Sequence, residues 1–299
     1  MKVLLLTLLF TTPAWSQIER LNLFPTEKTI TQLELHHELD EIQPDLPGVR
    51  TGTKQVRSST LRARAEHRFF ERTFVGVSVG YGEGEEHSAR FGDSQMREFH
   101  GQGPTDPMLH TRTRLRDQGE DTGSIDLLVN ATKSVGKAQI GTSKANRLSG
   151  QSRIDVTLAH GYHEGAWEFR SAVHVHQRFD GDEKDLSTGE SYDRKSNPDF
   201  GFSFHTQYEL AANWYVVPGI GILYRGGERL SSQGNETRKL QAGTGSLFDL
   251  GLKRVLSPRQ LLTLNLHHYR NEYFVRAEPT NFSGLERLYG VDLIWTTVF

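Results

Sequence analysis

The chain has 299 residues, a formal charge of −2 at neutral pH, no cysteine and only 35% hydrophobic residues. The near-neutral charge excludes bulk attraction to nucleic acid, and the missing thiols exclude a disulfide framework and a cysteine metal site. The hydrophobic content is low for the core of a large soluble protein, and no linker or low-complexity segment divides the chain.

The first segment, residues 1–16, has the three parts of a secretory signal peptide. A single lysine precedes the apolar run 3–10, and a small-residue pattern follows at 14–16. The apolar run is too short to cross a bilayer as a helix. The sequence therefore predicts cleavage before Gln17 and export from the cytoplasm, with residues 17–299 forming one domain.

Twelve stretches of that domain alternate polar and apolar residues with the period of a β-strand. A helical interpretation fails in most of them, because apolar residues do not recur at intervals of three and four. Each stretch has about the length of a tilted strand that crosses a bilayer. The predicted strands are 29–38, 60–70, 73–82, 107–116, 124–132, 152–162, 166–179, 199–210, 213–225, 245–254, 261–270 and 288–299.

The connections between these strands alternate strictly between short and long. The short ones are 71–72, 117–123, 163–165, 211–213 and 255–260, and the long hydrophilic ones are 40–54, 83–105, 133–151, 180–197, 226–243 and 276–286. Bacterial outer-membrane barrels combine short periplasmic turns with long extracellular loops, whereas a soluble β-sandwich has no reason to alternate in this way. The sequence predicts an all-β fold: a transmembrane antiparallel up-and-down β-barrel of about 12 strands in the outer membrane of a Gram-negative bacterium.

The last predicted strand has one apolar, aromatic face that ends on the final residue. We expect this strand to pair with the first one, because a closed barrel leaves no edge, and we expect its apolar face to contact outer-membrane lipid and lipopolysaccharide. The pattern resembles the C-terminal signature of outer-membrane barrels. That resemblance implies recognition by the barrel-assembly machinery, with an assembly signal formed by Tyr289, Val291, Leu293, Trp295 and Phe299.

Charged residues occupy the inward phase of several predicted strands. The strands at 60–70 and 107–116 each carry three arginines there, and the strand between them turns small residues inward. The predicted pore-lining residues are Arg62, Arg64, Arg68, Arg112, Arg114, Arg116, Glu168, Arg170, His174, His176, His205 and Glu209. Two interpretations stay open: a basic wall around a narrow channel, or a plug of ion pairs that conducts nothing.

The enzymatic and metal-binding alternatives have weaker support in the sequence. Outer-membrane phospholipases carry a His-x-Ser pair on a strand, and no His-x-Ser occurs in this chain. His174 and His176 share a face, but no third ligand is fixed by spacing, and residues 180–185 lack the glycine and the glutamate of a calcium loop. We therefore predict no catalytic residue, no metal ligand and no cofactor.

Four segments in the second two thirds of the chain point to a family. They are "GQGPTDPMLHTRTRLRD", "ANWYVVPGIGILYRGG", "FDLGLKRVLSPRQLLTLNL" and "YGVDLIWTTVF". In this order they resemble the meta-pathway of phenol degradation family of outer-membrane proteins, although the Gly-Asp of that family is split here by Pro104 and Thr105. The resemblance implies a barrel that passes small, often aromatic, molecules.

The expected function is therefore an outer-membrane channel for small solutes, including small aromatic or anionic molecules. A non-conducting structural or surface-interaction barrel is the first alternative. A lipid-modifying enzyme is the second, because such barrels use scattered acids and histidines that one sequence does not exclude.

Overall fold

The computed structural model describes residues 28–45, 54–89, 96–119, 123–140, 146–186, 189–232, 235–276 and 282–299. The signal peptide at 1–16 lies outside these ranges, so its cleavage stays a prediction. Every regular element in the described ranges is a β-strand. No helix found among these residues has the length and apolar character needed to cross a membrane.

Seventeen strands form one sheet. They are β1 (Thr29–Asp45), β2 (Lys54–Phe70), β3 (Thr73–Ala89), β4 (Met96–Pro104), β5 (Met108–Arg116), β6 (Ser124–Thr132), β7 (Ala138–Ile140), β8 (Gln151–Glu164), β9 (Trp167–Asp185), β10 (Ser191–Ser196), β11 (Asp199–Ala211), β12 (Trp214–Arg225), β13 (Glu228–Ser232), β14 (Asn235–Leu240), β15 (Gly243–Ser257), β16 (Gln260–Arg276) and β17 (Phe282–Val298). Four pairs of consecutive segments, β4–β5, β10–β11, β12–β13 and β14–β15, each make one barrel strand, and the short β7 is an addition beside β9. The result is a closed antiparallel barrel of 12 strands, which confirms the predicted fold.

The first and last strands close the barrel. β1 pairs antiparallel with β2 on one side and with β17 on the other, in a continuous register that sets Leu33 opposite Trp295. Beyond the end of β17, the Phe299 amide donates to the Thr29 carbonyl at 2.9 Å, and the Lys28 amide donates to the Phe299 carbonyl at 3.1 Å. The terminal strand is therefore not an edge, and its backbone groups are satisfied without water.

Short turns and long connections lie at opposite ends of the barrel. One end of the barrel carries four two-residue turns together with the paired residues Lys28 and Phe299; the turns are 71–72, 165–166, 212–213 and 258–259. At the other end, the long connections predicted from the sequence contain further β-structure, including β10, β13 and β14. These polar segments extend the ladder because backbone pairing satisfies the amide and carbonyl groups whatever the side chains are.

An apolar belt covers the outside of the barrel. Leu35 and Leu61, for example, are each 50% exposed, which a water-soluble protein would avoid over so large a surface. Near the short turns, aromatic side chains form a girdle: the Trp167 and Tyr208 rings lie 4.5 Å apart, and the Arg254 guanidinium lies 4.9 Å from the Trp214 ring. Aromatic girdles mark the membrane–water boundary of outer-membrane barrels.

The opposite face of each strand points into a mostly polar lumen. Side chains of non-adjacent strands meet there: the Arg225 guanidinium of β12 is 2.8 Å from the Glu286 carboxylate of β17, with β15 and β16 between the two strands. At the short-turn end the interior becomes apolar, where Ile30, Phe74 and Val298 pack together and the last two are fully buried. The lumen is thus charged along most of its length and narrowed by an apolar cluster at one end.

Candidate functional site

A cavity of about 550 Å³ occupies the half of the lumen next to the short turns. Its wall is formed by residues of β1, β2, β5, β6, β11, β12, β15, β16 and β17. The charged part of the wall includes Arg64, Glu66, Arg112, Asp249, Lys253 and Asp292, and the apolar part includes Ile30, Leu128, Val217, Leu261, Ile294 and Val298. The cavity therefore offers both charge and apolar surface to a small molecule.

β2 carries two of the predicted arginines into this lumen, each beside a carboxylate. Arg64 pairs with Glu66, two residues along the same strand, and the Arg62 guanidinium lies 3.6 Å from the Glu34 carboxylate of β1. Gly76 of the neighbouring strand β3 leaves space for the Glu66 side chain, because a β-carbon at this position would collide with it. The small inward residues of β3 thus let long charged side chains fold across that strand.

Asp126 of β6 binds the two inward arginines of β5. Arg114 donates to both carboxylate oxygens, with Nη2 3.2 Å from Oδ2, and Arg112 Nη2 lies 3.4 Å from the same Oδ2. The Arg114 and Asp126 side chains are each only 4% exposed. The sequence interpretation missed this acid, although it stands in the inward phase of its strand between Ile125 and Leu127.

Histidines connect strands on another side of the lumen. His174 of β9 is hydrogen bonded to the Thr157 hydroxyl at 2.9 Å and to the Ser203 hydroxyl at 2.8 Å. His176 is 2.9 Å from the Asp155 carboxylate, and the two imidazole rings stack with centroids 6.1 Å apart. Both histidines therefore have partners on neighbouring strands, and these partners account for their position without a metal.

Ser78, His110 and Asn130 have the connectivity of a nucleophile, a base and an orienting group. His110 Nε2 is 2.9 Å from the Ser78 hydroxyl, and Nδ1 is 2.8 Å from the Asn130 side-chain oxygen. Ser78 is 2% exposed and His110 is 4% exposed, so a substrate does not reach the hydroxyl in this arrangement. The Thr157–His174–Ser203 contacts repeat the pattern, which favours cross-strand bracing over acyl transfer.

The predicted pore-lining residues fall into three groups that differ in how far their side chains are buried. The half-buried ones on the inner face are Arg62, Arg64, Arg68, Arg112, Arg170, His174, His176 and His205, and the buried ones are Arg114 and Glu168. Arg116 and Glu209 are exposed near the short turns, where the Arg116 Nε donates to the Gly123 carbonyl at 3.0 Å. Whether any of these side chains lines a conducting pore stays a prediction.

The residues of the predicted assembly signal share the outer face of the last strand. Tyr289, Val291, Leu293, Trp295 and Phe299 are all exposed there. This placement agrees with lipid contact, and recognition by the assembly machinery stays a prediction.

At the end of the barrel opposite the short turns, one carboxylate fixes the connection between β6 and β8. Asp106, between β4 and β5, accepts hydrogen bonds from the Val135 amide at 3.0 Å, the Ser149 amide at 2.7 Å and the Ser149 hydroxyl at 2.6 Å. Both partners belong to the connection between β6 and β8. One carboxylate therefore holds both ends of that connection, a role that no spacing pattern in the sequence indicated.

Arg147 of the same connection reaches the inner face of β3. A β-carbon at Gly84 would collide with its guanidinium, so the arginine rests directly on the strand backbone. Burial lowers the pKa of the Arg147 guanidinium, and the nearby Glu38 carboxylate of β1 acts in the opposite direction. The connection thus narrows the lumen at the end opposite the short turns.

Comparison with known proteins supports the fold. No family model and no curated protein matches the chain. An outer membrane channel from Pseudomonas putida F1 superposes with a TM-score of 0.66 at 14% identity, over 94% of this chain and 98% of that one. The transport unit of the autotransporter AIDA-I from Escherichia coli superposes with a TM-score of 0.54 at 7% identity, over 95% and 93%. With its closed sheet and apolar outer belt, the chain is an outer-membrane β-barrel of the Gram-negative type.

Proposed function

We propose that this barrel is a narrow outer-membrane channel for small solutes and that it favours small aromatic anions. The observation that carries the proposal is the cavity in the lumen, whose wall combines apolar side chains with charged ones of both signs. Arg64, Arg112 and Lys253 lie on the charged part of the wall, and Val217 and Leu261 on the apolar part. An aromatic carboxylate matches both, since its ring removes apolar surface from water while its anion meets guanidinium and ammonium groups.

The neighbouring carboxylates limit the selectivity of such a channel. Arg64 lies beside Glu66, and Arg112 shares Asp126 with Arg114. These acids offset much of the positive field, so we expect a modest preference for anions rather than exclusion of cations.

Liposome swelling with refolded protein tests the proposal. Vesicles that contain the barrel should swell faster in potassium benzoate than in an isotonic neutral sugar of larger size. Reversal potentials across a benzoate gradient in planar bilayers should show benzoate permeability at least equal to that of chloride. Folded barrels that give neither swelling nor conductance would overturn the proposal.

A matched pair of substitutions separates the lumen from the outer surface. Lys253→Gln should reduce benzoate flux, because the ammonium group lies on the cavity wall. Arg254→Gln, one residue later, alters a side chain of the outer aromatic girdle and should leave the flux unchanged. Equal effects of the two substitutions would contradict a role for the cavity wall.

A second candidate function is a structural barrel that conducts nothing. The apolar cluster of Ile30, Phe74 and Val298 favours it, because these buried side chains fill the interior at the short-turn end. If it is correct, vesicles with folded protein stay sealed, and Phe74→Ala opens a conductance that the wild type lacks.

A further inference from the structure

Four side chains gather on the inner face where the barrel closes. Glu34 and His36 stand on β1, His267 on β16 and Asp292 on β17. One potential ligand atom from each of Glu34, His36 and Asp292 lies within 4.8 Å of the other two. His267 Nδ1 is 3.7 Å from Asp292 Oδ2. We refer to these four residues as the seam cluster.

Strand register holds the seam cluster in place. His36 stands opposite Asp292 in the β1–β17 pairing, and His267 stands opposite Gly290 in the β16–β17 pairing. The His36 and His267 rings are parallel, with centroids 5.7 Å apart and planes 6° apart. A β-carbon at Gly290 would collide with the His267 ring, so only a glycine at 290 allows the ring to lie there. The imidazole of His36 on β1 and that of His267 on β16 thus approach β17 from its two neighbouring strands, and both lie beside the carboxylate of Asp292.

The donor set selects a class of ligand. Imidazole nitrogens combined with carboxylate oxygens are the ligands of zinc and of similar first-row divalent ions. Calcium and magnesium instead require sites built from oxygen atoms. We infer that the seam cluster binds one divalent transition-metal ion, with His36, His267 and Asp292 as ligands and Glu34 as the fourth.

The immediate surroundings suit such an ion. His36 Nδ1 is hydrogen bonded to Asp292 Oδ1, and the metal takes the place of the proton between them, which leaves for solvent. His36 Nε2 is 3.1 Å from the Glu38 carboxylate, which orients the ring from outside the site. His267 and Asp292 also border the lumen cavity, so an ion in the lumen reaches the site.

Other histidines of the lumen do not offer the same set. His174 contacts two hydroxyl oxygens, and His205 contacts one carboxylate, Asp249, at 3.2 Å. Within the described ranges, Glu34, His36 and Asp292 form the one group of three potential ligands that approach so closely. The inference does not depend on conduction, since a barrel that passes no solute would hold the same ligands.

Isothermal titration of Zn²⁺ into refolded wild-type protein in detergent, near neutral pH, tests the inference. We expect one saturable site, and no comparable binding of Mg²⁺. His36→Gln and Asp292→Asn remove ligands and should each weaken binding by more than about 100-fold, whereas Glu38→Gln should weaken it by about 10- to 100-fold. His37→Gln is the matched control, because His37 points to the outer face and bonds to Ser59 there.

Two outcomes would overturn the inference. One is wild-type protein without saturable Zn²⁺ binding, which decides the matter before any variant is made. The other is unchanged affinity in His36→Gln and Asp292→Asn, which would place the ion elsewhere. Heat-modifiable migration on gels reports folding of each variant, and His267→Gln replaces any variant that does not fold. Zinc binding by a barrel without conductance would support this site while refuting the channel.

Discussion

Replacing Arg114 with serine should destabilise the barrel far more than the same replacement at Arg62. The Arg114 and Asp126 side chains are each 4% exposed, whereas those of Arg62 and Glu34 are 34% and 26% exposed. Removing one partner of a buried pair leaves an uncompensated charge and costs about 3–5 kcal/mol, while a solvated pair contributes about 0–1 kcal/mol. Arg112 stays 3.4 Å from Asp126, so we expect the lower end, about 3 kcal/mol.

Urea unfolding followed by tryptophan fluorescence measures both changes in the free energy of unfolding. Trp167, Trp214 and Trp295 belong to three different strands, β9, β12 and β17, and report the loss of the lipid-facing surface. A triple variant, Arg112→Met and Arg114→Met with Asp126→Leu, is the control, because Asp126 also binds Arg112. It removes all three charges and should recover most of the lost stability, because apolar residues that pack well often replace a buried ion-pair cluster at little cost.

Equal losses for Arg114→Ser and Arg62→Ser would refute this reasoning. Such a result would mean that water reaches Asp126 and screens its charge as it screens Glu34. A triple variant that is less stable than Arg114→Ser would refute it in another way, by showing that packing rather than charge determines the loss.

Three further predictions concern assembly, topology and the lumen. Deleting Phe299 should lower the amount of barrel in outer membranes more than a one-residue deletion at 186–190; equal amounts would contradict the assembly signal. A protease site inserted at 186–190 should be cut on intact cells, and one inserted at 212–213 only after lysis; the reverse would invert the topology. Asp106→Ala should raise single-channel conductance, because Ser149 loses its anchor and its connection moves out of the lumen; an unchanged conductance would show that this connection does not restrict the path.

The membrane-spanning part of the barrel could be predicted because the bilayer imposes a pattern on the sequence. Leu61 faces the lipid and Arg62 faces the lumen, and this alternation repeats in most of the spanning strands. The strands outside the bilayer, such as β10 and β13, carry mostly polar residues on both faces, so their side chains show no apolar alternation to detect. That is why these segments were expected to be loops.

Partners across strands were harder to predict than inward positions. The inward phase of Arg114 follows from its own strand, but its partner depends on the register between β5 and β6. That register sets Arg114 opposite Asp126 and shifts between Arg114 and Arg116. The His36–Asp292 contact joins residues 256 positions apart, so only closure of the whole sheet defines it.

The pairing of β1 with β17 makes folding of this barrel a non-local process. Thr31 and Thr297, 266 positions apart in sequence, meet only when the last strand arrives, and until then β1 offers an open edge. The entropic cost of closing so long a loop is offset in one step, when the two strands pair along their length. In the closed barrel the Lys28 amide nitrogen lies 3.1 Å from the Phe299 carbonyl oxygen. A permuted chain that joins these ends and opens at 186–190 would turn the latest contact of the fold into a local hairpin.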